Sequence, residues 1–343
     1  MMVVRVGVNG FGTIGKRVAH AIQLQDDMDL VGVVKRRPDY AALQALRAGI
    51  SIYTPSPEDA EKMEKAGIRV AGTIEDLLSS VDVVVDATPG GTGAEYKKLY
   101  ERYGVKQVFQ GGEKPHVAEA SFSTLCNYEE ALGKKSLRVV SCNTTGLLRL
   151  ICTLNKAFGV SSVRAVIVRR AADPKEVKRG PVNAIVLNPP TLPSHHGEDV
   201  KTVLPKLDIV TFAVVVPTTL MHVHAVTLKL SQPVTRGDVV SALSEAPRIM
   251  MVNSALTGIR STAELMEAAR ETRRRSDIPE LVVFEDSIAV RGSEVLLFQA
   301  VHQESIVVPE NVDAIRAVAG LAASAEETIR ITDSTLGVGQ PLW

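Results

Sequence analysis

Val3-Val4-Arg5-Val6-Gly7-Val8-Asn9-Gly10-Phe11-Gly12-Thr13-Ile14-Gly15 opens the chain and decides how its first half folds. Val3 to Val8 is a mostly apolar run of strand length, and Lys16 to Gln23 continues as a helical pattern. Gly10, Gly12 and Gly15 supply the G-x-G-x-x-G spacing in the strand-then-helix setting that gives this spacing its meaning. The first glycine permits a tight turn, and the second lets main chain approach a pyrophosphate. The third lets the helix pack close to the sheet. The expectation is a dinucleotide-binding unit; the plainer reading is a glycine-rich turn that serves packing alone.

Outward from this stretch, strand and helix alternate. Leu30 to Val34 reads as a second strand and ends in Lys35-Arg36-Arg37, where an NAD-selective site usually carries an acid for the ribose 2′-hydroxyl. Lys35 and Arg36 would instead attract a 2′-phosphate, so NADP is favoured, with Asp39 close enough to keep NAD in use. Helices follow over Tyr40–Ala48 and Glu58–Ala66, flanking Ile50–Tyr53. A further unit over Ile74–Val85 breaks into Asp86-Ala87-Thr88-Pro89-Gly90-Gly91. Ligands bind at the C-terminal edge of an open parallel sheet, which places Thr88 and Pro89 along a cofactor groove. A helix over Thr92–Tyr103, a strand over Val105–Phe109 and the bare turn Gln110-Gly111-Gly112-Glu113 complete the pattern. The fold class is α/β: a doubly wound Rossmann domain over 1–140, followed by an α+β domain over 141–304.

The second domain opens on Val140-Ser141-Cys142-Asn143-Thr144-Thr145-Gly146. An apolar run precedes it, and Leu147, Leu148, Leu150, Ile151, Leu154 and Phe158 follow at helical spacing. A cysteine at that junction would face unpaired N–H groups and the positive end of the helix dipole, which favour the thiolate and make a nucleophile. The blander fate is a buried cysteine acting as a small hydrophobe. Beyond Phe158, apolar runs at Val163–Val168, Ile209–Val216, Val223–Leu230, Leu281–Val283 and Val295–Val301 suggest a mainly antiparallel sheet. The long irregular stretch Arg169–Pro205 carries Arg169-Arg170 and His195-His196, a set suited to phosphate oxygens or simply to a solvated loop. The paired histidines lack a cysteine or carboxylate at ligand spacing, so no metal is expected. His222 and His224 would share one face of a strand and are candidate partners for the sulfur. Ala263–Arg275 reads as an amphipathic helix with a solvated arginine end. Pro309–Ala325 reads as a helix positioned to return to the first domain, and the tail from Ser334 has too little pattern to read.

Composition narrows the classes. A chain of 343 residues exceeds the ~250–300 that one core usually serves, so two domains are expected. A net charge of zero argues against a dedicated nucleic-acid or anionic-membrane binder. Three cysteines make no secreted disulfide scaffold, and no apolar run reaches membrane-spanning length, so a cytoplasmic location is expected.

Taken together, NGFGTIGKRV at the start, FQGGEK at 109–114, SCNTTGLLR at 141–149, VRRAADPKEVKRGP at 168–181, PSHHGEDV at 193–200, PTTLMHVHA at 217–225 and AVHQESIVVPENVDAIRA at 300–317 resemble the archaeal type of glyceraldehyde-3-phosphate dehydrogenase over essentially the whole chain. The resemblance implies a phosphorylating oxidation of glyceraldehyde 3-phosphate with NADP or NAD, in glycolysis or gluconeogenesis. It puts the nucleophile on Cys142 and the catalytic histidine, acting as base, on His222. Its anion-binding positions fall on Ser141, Asn143, Thr144, His195, His196 and one of Arg169 or Arg170. Its nucleotide contacts fall on Thr13, Ile14, Gly111, Arg169 and Gln303. Arg36 departs from the small polar residue often found there. The resemblance further implies a homotetramer, with a C-terminal helix from about residue 305 completing the first domain. A related acyl-phosphate or semialdehyde dehydrogenase, sharing cofactor and thiol, is the alternative.

Overall fold

The computed structural model describes residues 3–110, 112–172 and 180–343. The chain divides into two compact units, one of Met1–Ser141 with Val308–Leu336 and one of Cys142–Val307 with Gly337–Trp343. In the first unit the strands are β1 Val4–Asn9, β2 Met28–Val34, β3 Ile52–Thr54, β4 Gly72–Thr73, β5 Val83–Asp86, β6 Lys106–Gln110, β7 Ala120–Phe122 and β8 Ser136–Val139. They form one sheet in the order β4-β3-β2-β1-β5-β6-β8-β7. Every pairing is parallel. Helices cover both faces of such a sheet, and Val83, Val84 and Val85 are accordingly all buried rather than alternating. This is the doubly wound unit that the opening glycines predict.

The chain returns to this unit through two helices, Val307–Ala319 and Ala325–Leu336, rather than the single helix expected over 309–325. Gly320, at φ +72°, stops the first of them. Pro309 sits in its first turn, where a missing N–H costs no helical bond. A polar seam holds the pair. Buried Arg316 makes a two-pronged bond to Asp27 at 2.8 Å from each nitrogen, and donates also to Gln25 (2.7 Å) and Thr332 (2.6 Å). Asp313 accepts from Thr124, Thr328 and Thr332, and Glu310 accepts from the main chain and hydroxyl of Thr124.

In the second unit the strands are β9 Val160–Arg170, β10 Val186–Leu187, β11 Asp208–Val216, β12 His222–Leu230, β13 Ile249–Val252, β14 Leu281–Phe284, β15 Ala289–Arg291 and β16 Glu294–Val301. The order is β10-β11-β9-β12-β16-β14-β13, with β15 on β16. Two pairings, β9 with β11 and β13 with β14, are parallel and the other five antiparallel, so the sheet is mixed but mainly antiparallel. The helix Cys142–Phe158 buries Leu147, Leu148, Leu150, Ile151 and Leu154. Its buried Arg149 anchors it by donating to the carbonyls of Pro279 (2.6 Å) and Ile306 (2.9 Å).

One arginine departs from the solvated-face expectation. The amphipathic helix ends at Thr272, and Arg273 turns inward to Glu280 (2.9 Å) and to the carbonyls of Gly337 (2.8 Å) and Gln340. That tether places residues 337–343 in the second unit, whereas the sequence reading grouped them with the returning helix.

Candidate active site

Cys142 begins its helix as a half-buried free thiol. Its Sγ lies 3.6 Å from Nε2 of His222, the first residue of β12, some eighty positions later in the chain. The other ring nitrogen, Nδ1, accepts the main-chain N–H of Arg170 at 3.0 Å. That bond leaves the proton of the neutral ring on Nε2, directed at the sulfur. In the resting site the Nε2–H of His222 is thus directed at the sulfur.

Charge and burial pull the pair in opposite directions. Burial pushes the Cys142 thiol above its ordinary value, opposed by the Arg169 and Arg170 guanidiniums and by the N–H groups of Asn143 and Cys142. Burial outweighs these, whereas the helix start had been expected to favour the thiolate. Burial, His224 and the same two arginines hold His222 well below its ordinary value, so it is a neutral imidazole.

The residues expected to bind anions divide into two groups. Arg169 and Arg170 close β9, both half-buried, with Arg169 braced by Asn188 Oδ1 at 2.5 Å. Exposed His195 stacks on His196 with ring centroids 4.0 Å apart. Ser141 is half-buried and is the last residue before the helix. Asn143, Thr144 and His196, in contrast, are buried with their polar atoms engaged internally. Thr144 donates to Asp199 at 2.6 Å, and Asn143 lies between His224 (2.9 Å) and His196 (3.5 Å). Gln303 is also buried, accepting from Met221 N–H (2.8 Å) and donating to Thr219 O (3.3 Å). Its amide braces the turn before His222. Gly111 lies outside the described residues.

The glycines of the first unit fit a dinucleotide. A Cβ on Gly10, at φ +100°, would stand 2.7 Å from Ala87 O, and one on Gly15 would stand 1.9 Å from Gly10 O. Both positions are closed by backbone. A Cβ on Gly12 would meet nothing within 4 Å, so the second glycine faces open space, where main chain can approach a pyrophosphate. Gly12 caps the helix Thr13–Ile22 without a side-chain cap bond, and a helix start of this kind, here including Thr13 and Ile14, suits an anion. The helix Thr92–Tyr103 is different: Glu113 already accepts from Gly91 (2.8 Å) and Gly93 (2.9 Å) at its start. Thr88 turns its hydroxyl to buried Asp86 at 2.5 Å, while Pro89 is exposed. Lys35 bonds Asp39 at 2.6 Å, and Asp39 also caps the next helix through Ala41 and Ala42. Arg36 is 73% exposed and 3.6 Å from Asp59.

These contacts give a direct test of the cradle. Gly12→Val should leave the fold intact, because the space is open, yet weaken dinucleotide binding by about tenfold or more. A calorimetric titration with unchanged affinity would remove Gly12 from the site.

Several working residues went unnoticed in sequence. Gln299 occupies an inward position of β16 between Leu297 and Val301, and Thr211 does the same between Ile209 and Ala213 on β11. A polar residue at a core position of a two-residue alternation must have a partner, and that signal was available. Asn188 and Asp199 carried no such mark. Among the described residues no cluster of three or more His, Cys, Asp or Glu is placed to hold a metal, and no helix is long and apolar enough to cross a membrane.

Known families match this chain in both halves. The family described as glyceraldehyde 3-phosphate dehydrogenase, C-terminal domain, matches residues 141–281. The family described as dihydrodipicolinate reductase, N-terminus, matches residues 4–112. The chain is 69% identical over 343 residues to a glyceraldehyde-3-phosphate dehydrogenase of Aeropyrum pernix, covering 100% of both. It is 67% identical over 336 residues to the protein of that name from Hyperthermus butylicus, covering 98% of this chain and 97% of the relative. With the one from Sulfurisphaera tokodaii it shares 59% over 336 residues, again covering 98% and 97%.

Proposed function

Because this chain belongs to the glyceraldehyde-3-phosphate dehydrogenase family, we propose that Cys142 carries the acyl group in a phosphorylating oxidation of D-glyceraldehyde 3-phosphate to 1,3-bisphosphoglycerate. The observation that carries the residue assignment is the 3.6 Å approach of the Cys142 sulfur to His222 at a helix start flanked by two arginines. The bound dinucleotide supplies the hydride acceptor, so that aldehyde, phosphate and oxidised cofactor give acyl phosphate, reduced cofactor and one proton.

The chain's own residues account for the rest. The thiol gives up its proton to solvent, and the thiolate attacks the aldehyde carbon, forming an S–C bond and an alkoxide. His222 Nε2–H and the N–H groups at the helix start stabilise that oxygen. No base has to remove a proton from it, which agrees with a ring already protonated on Nε2. Once oxidised, the carbon is a thioester on Cys142; a phosphate oxygen attacks it, the S–C bond breaks and thiolate leaves. Arg169, Arg170, His195 and Ser141 are the groups proposed to receive the two phosphates.

NADP is the proposed preferred cofactor, with NAD also used. What supports it is exposed Arg36 beside Lys35, while the nearby acid, Asp39, is engaged with Lys35 and a helix start. Glycolysis or gluconeogenesis, in the cytoplasm, is the proposed setting. Turnover is read by the near-ultraviolet absorbance of reduced nicotinamide with the triose phosphate, inorganic phosphate and either cofactor. Turnover with aspartate semialdehyde and none with the triose phosphate would overturn the reading.

The assembly proposed is a homotetramer. Phe212, Val166, Ala225 and Phe298 lie in register straight across β11, β9, β12 and β16. Phe212 (40%), Val166 (41%) and Phe298 (51%) are exposed on the sheet face, with Leu187 and Val214 paired beside them. An apolar sheet face of this kind supports contact with a second copy. Phe298→Lys should shift the protein to a smaller species in light scattering; an unchanged mass would take this face out of the assembly.

A further inference from the structure

Behind the sulfur runs a chain of uncharged polar groups. Gln299 Nε2 donates to His224 Nδ1 at 2.9 Å, and His224 Nε2 meets Asn143 Oδ1 at 2.9 Å. Asn143 Nδ2 continues to His196 Nε2 at 3.5 Å, and His196 Nδ1 meets Ser194 Oγ at 3.1 Å. Ser194 Oγ lies 2.8 Å from Thr211 Oγ1, which accepts Gly197 N–H at 2.9 Å and donates to Ser194 O at 3.0 Å. Gln299, His224, Asn143, His196, Ser194 and Thr211 are all buried.

The Thr211 hydroxyl fixes the direction: it donates to Ser194 O and accepts Gly197 N–H, so Ser194 Oγ donates to it and accepts from His196 Nδ1. In that direction each imidazole uses one nitrogen as donor and the other as acceptor, the pattern of a neutral ring. Burial agrees: it lowers the value for His224 to about 3 and that for His196 to about 2. Both ring nitrogens of His224 are engaged, by Gln299 and by Asn143, and neither meets the Cys142 sulfur.

Asn143 is the link between this chain and the reacting atom. Its own main-chain N–H acts on the Cys142 sulfur, and its side chain is gripped on both sides. Gly146, one turn on, allows the grip: a Cβ there would stand 2.5 Å from Val301 Cγ2 and 3.6 Å from His224 Cε1. The helix start can thus lie against β12 and β16 only with a bare α-carbon at that position.

We infer that the Asn143 side chain is a positioning group for the Cys142 turn, clamped by His224 with Gln299 on one side and by His196 on the other, and not a ligand for substrate anions. The inference rests on Cys142 being the nucleophile. Its test is Asn143→Ala, read by the rate of Cys142 alkylation with iodoacetamide, located by peptide mass, and by kcat and KM. Alkylation rate and kcat should fall together by about tenfold, with KM for triose phosphate and for inorganic phosphate within about twofold of wild type. A KM raised about tenfold with alkylation unchanged would make Asn143 an anion ligand and overturn the inference. Gln299→Leu, which removes the far end of the chain, should slow alkylation in the same sense, by about threefold. The unmodified enzyme gives a readout that needs no variant. Ring-nitrogen NMR should find His224 and His196 neutral at about pH 5, where an ordinary imidazole is charged. A protonated signal from either ring would mean that the chain is open to water and would contradict the buried clamp. Wild-type alkylation at a site other than Cys142 would instead bring down the nucleophile assignment beneath it.

Discussion

Cys142→Ser should lower dehydrogenase turnover by at least about a thousandfold while leaving dinucleotide affinity within about twofold. The size follows from the acidity of the attacking group. A serine hydroxyl is far less acidic than a thiol, and the group nearest it, His222 Nε2, already carries its proton because Arg170 N–H occupies Nδ1. The cofactor cradle around Gly10, Gly12 and Gly15 belongs to the other unit and is untouched by the change. Steady-state rates with a parallel binding titration measure both halves. Turnover above a few per cent of wild type would move the nucleophile elsewhere.

Arg316→Ala should be the most damaging substitution for stability, at about 3–5 kcal/mol. The guanidinium is fully buried and carries two bonds to Asp27 besides those to Gln25 and Thr332. Removing it leaves the Asp27 carboxylate in a buried place with no counter-charge, which is worse than never having had the pair. Lysine is no substitute, because a single ammonium cannot reproduce the fork. The paired change Arg316→Met with Asp27→Leu should recover a large part of the loss, since it removes both charges and fills the volume. Denaturant unfolding of the single and double variants measures this directly. A single-variant loss below about 1 kcal/mol would mean that the seam is solvated.

The same seam shows why one element escaped the sequence. The helix Ala325–Leu336 buries Thr328, Ile329 and Thr332, and the two threonines are inside because Asp313 accepts their hydroxyls. Hydrophobic periodicity cannot register a helix held that way. By contrast, the first parallel unit was legible because its strands are apolar runs and its turns are glycines that backbone contacts require. The pairing of Cys142 with His222 was legible as a pair of residue types within one motif set. The protonation of that ring was not, since it depends on a main-chain N–H from β9. Likewise the spacing of Asn143, Thr144 and His196 could not say that their side chains face inward, which only the packing of the helix start against β12 and α-helical residues 195–201 decides.

The most direct measurement is a single-turnover experiment with triose phosphate and oxidised cofactor in the absence of inorganic phosphate. The account predicts a burst of reduced nicotinamide close to one equivalent per chain, and a phosphoglyceroyl adduct that peptide mass spectrometry places on Cys142. No burst, or an adduct on any other residue, would contradict it.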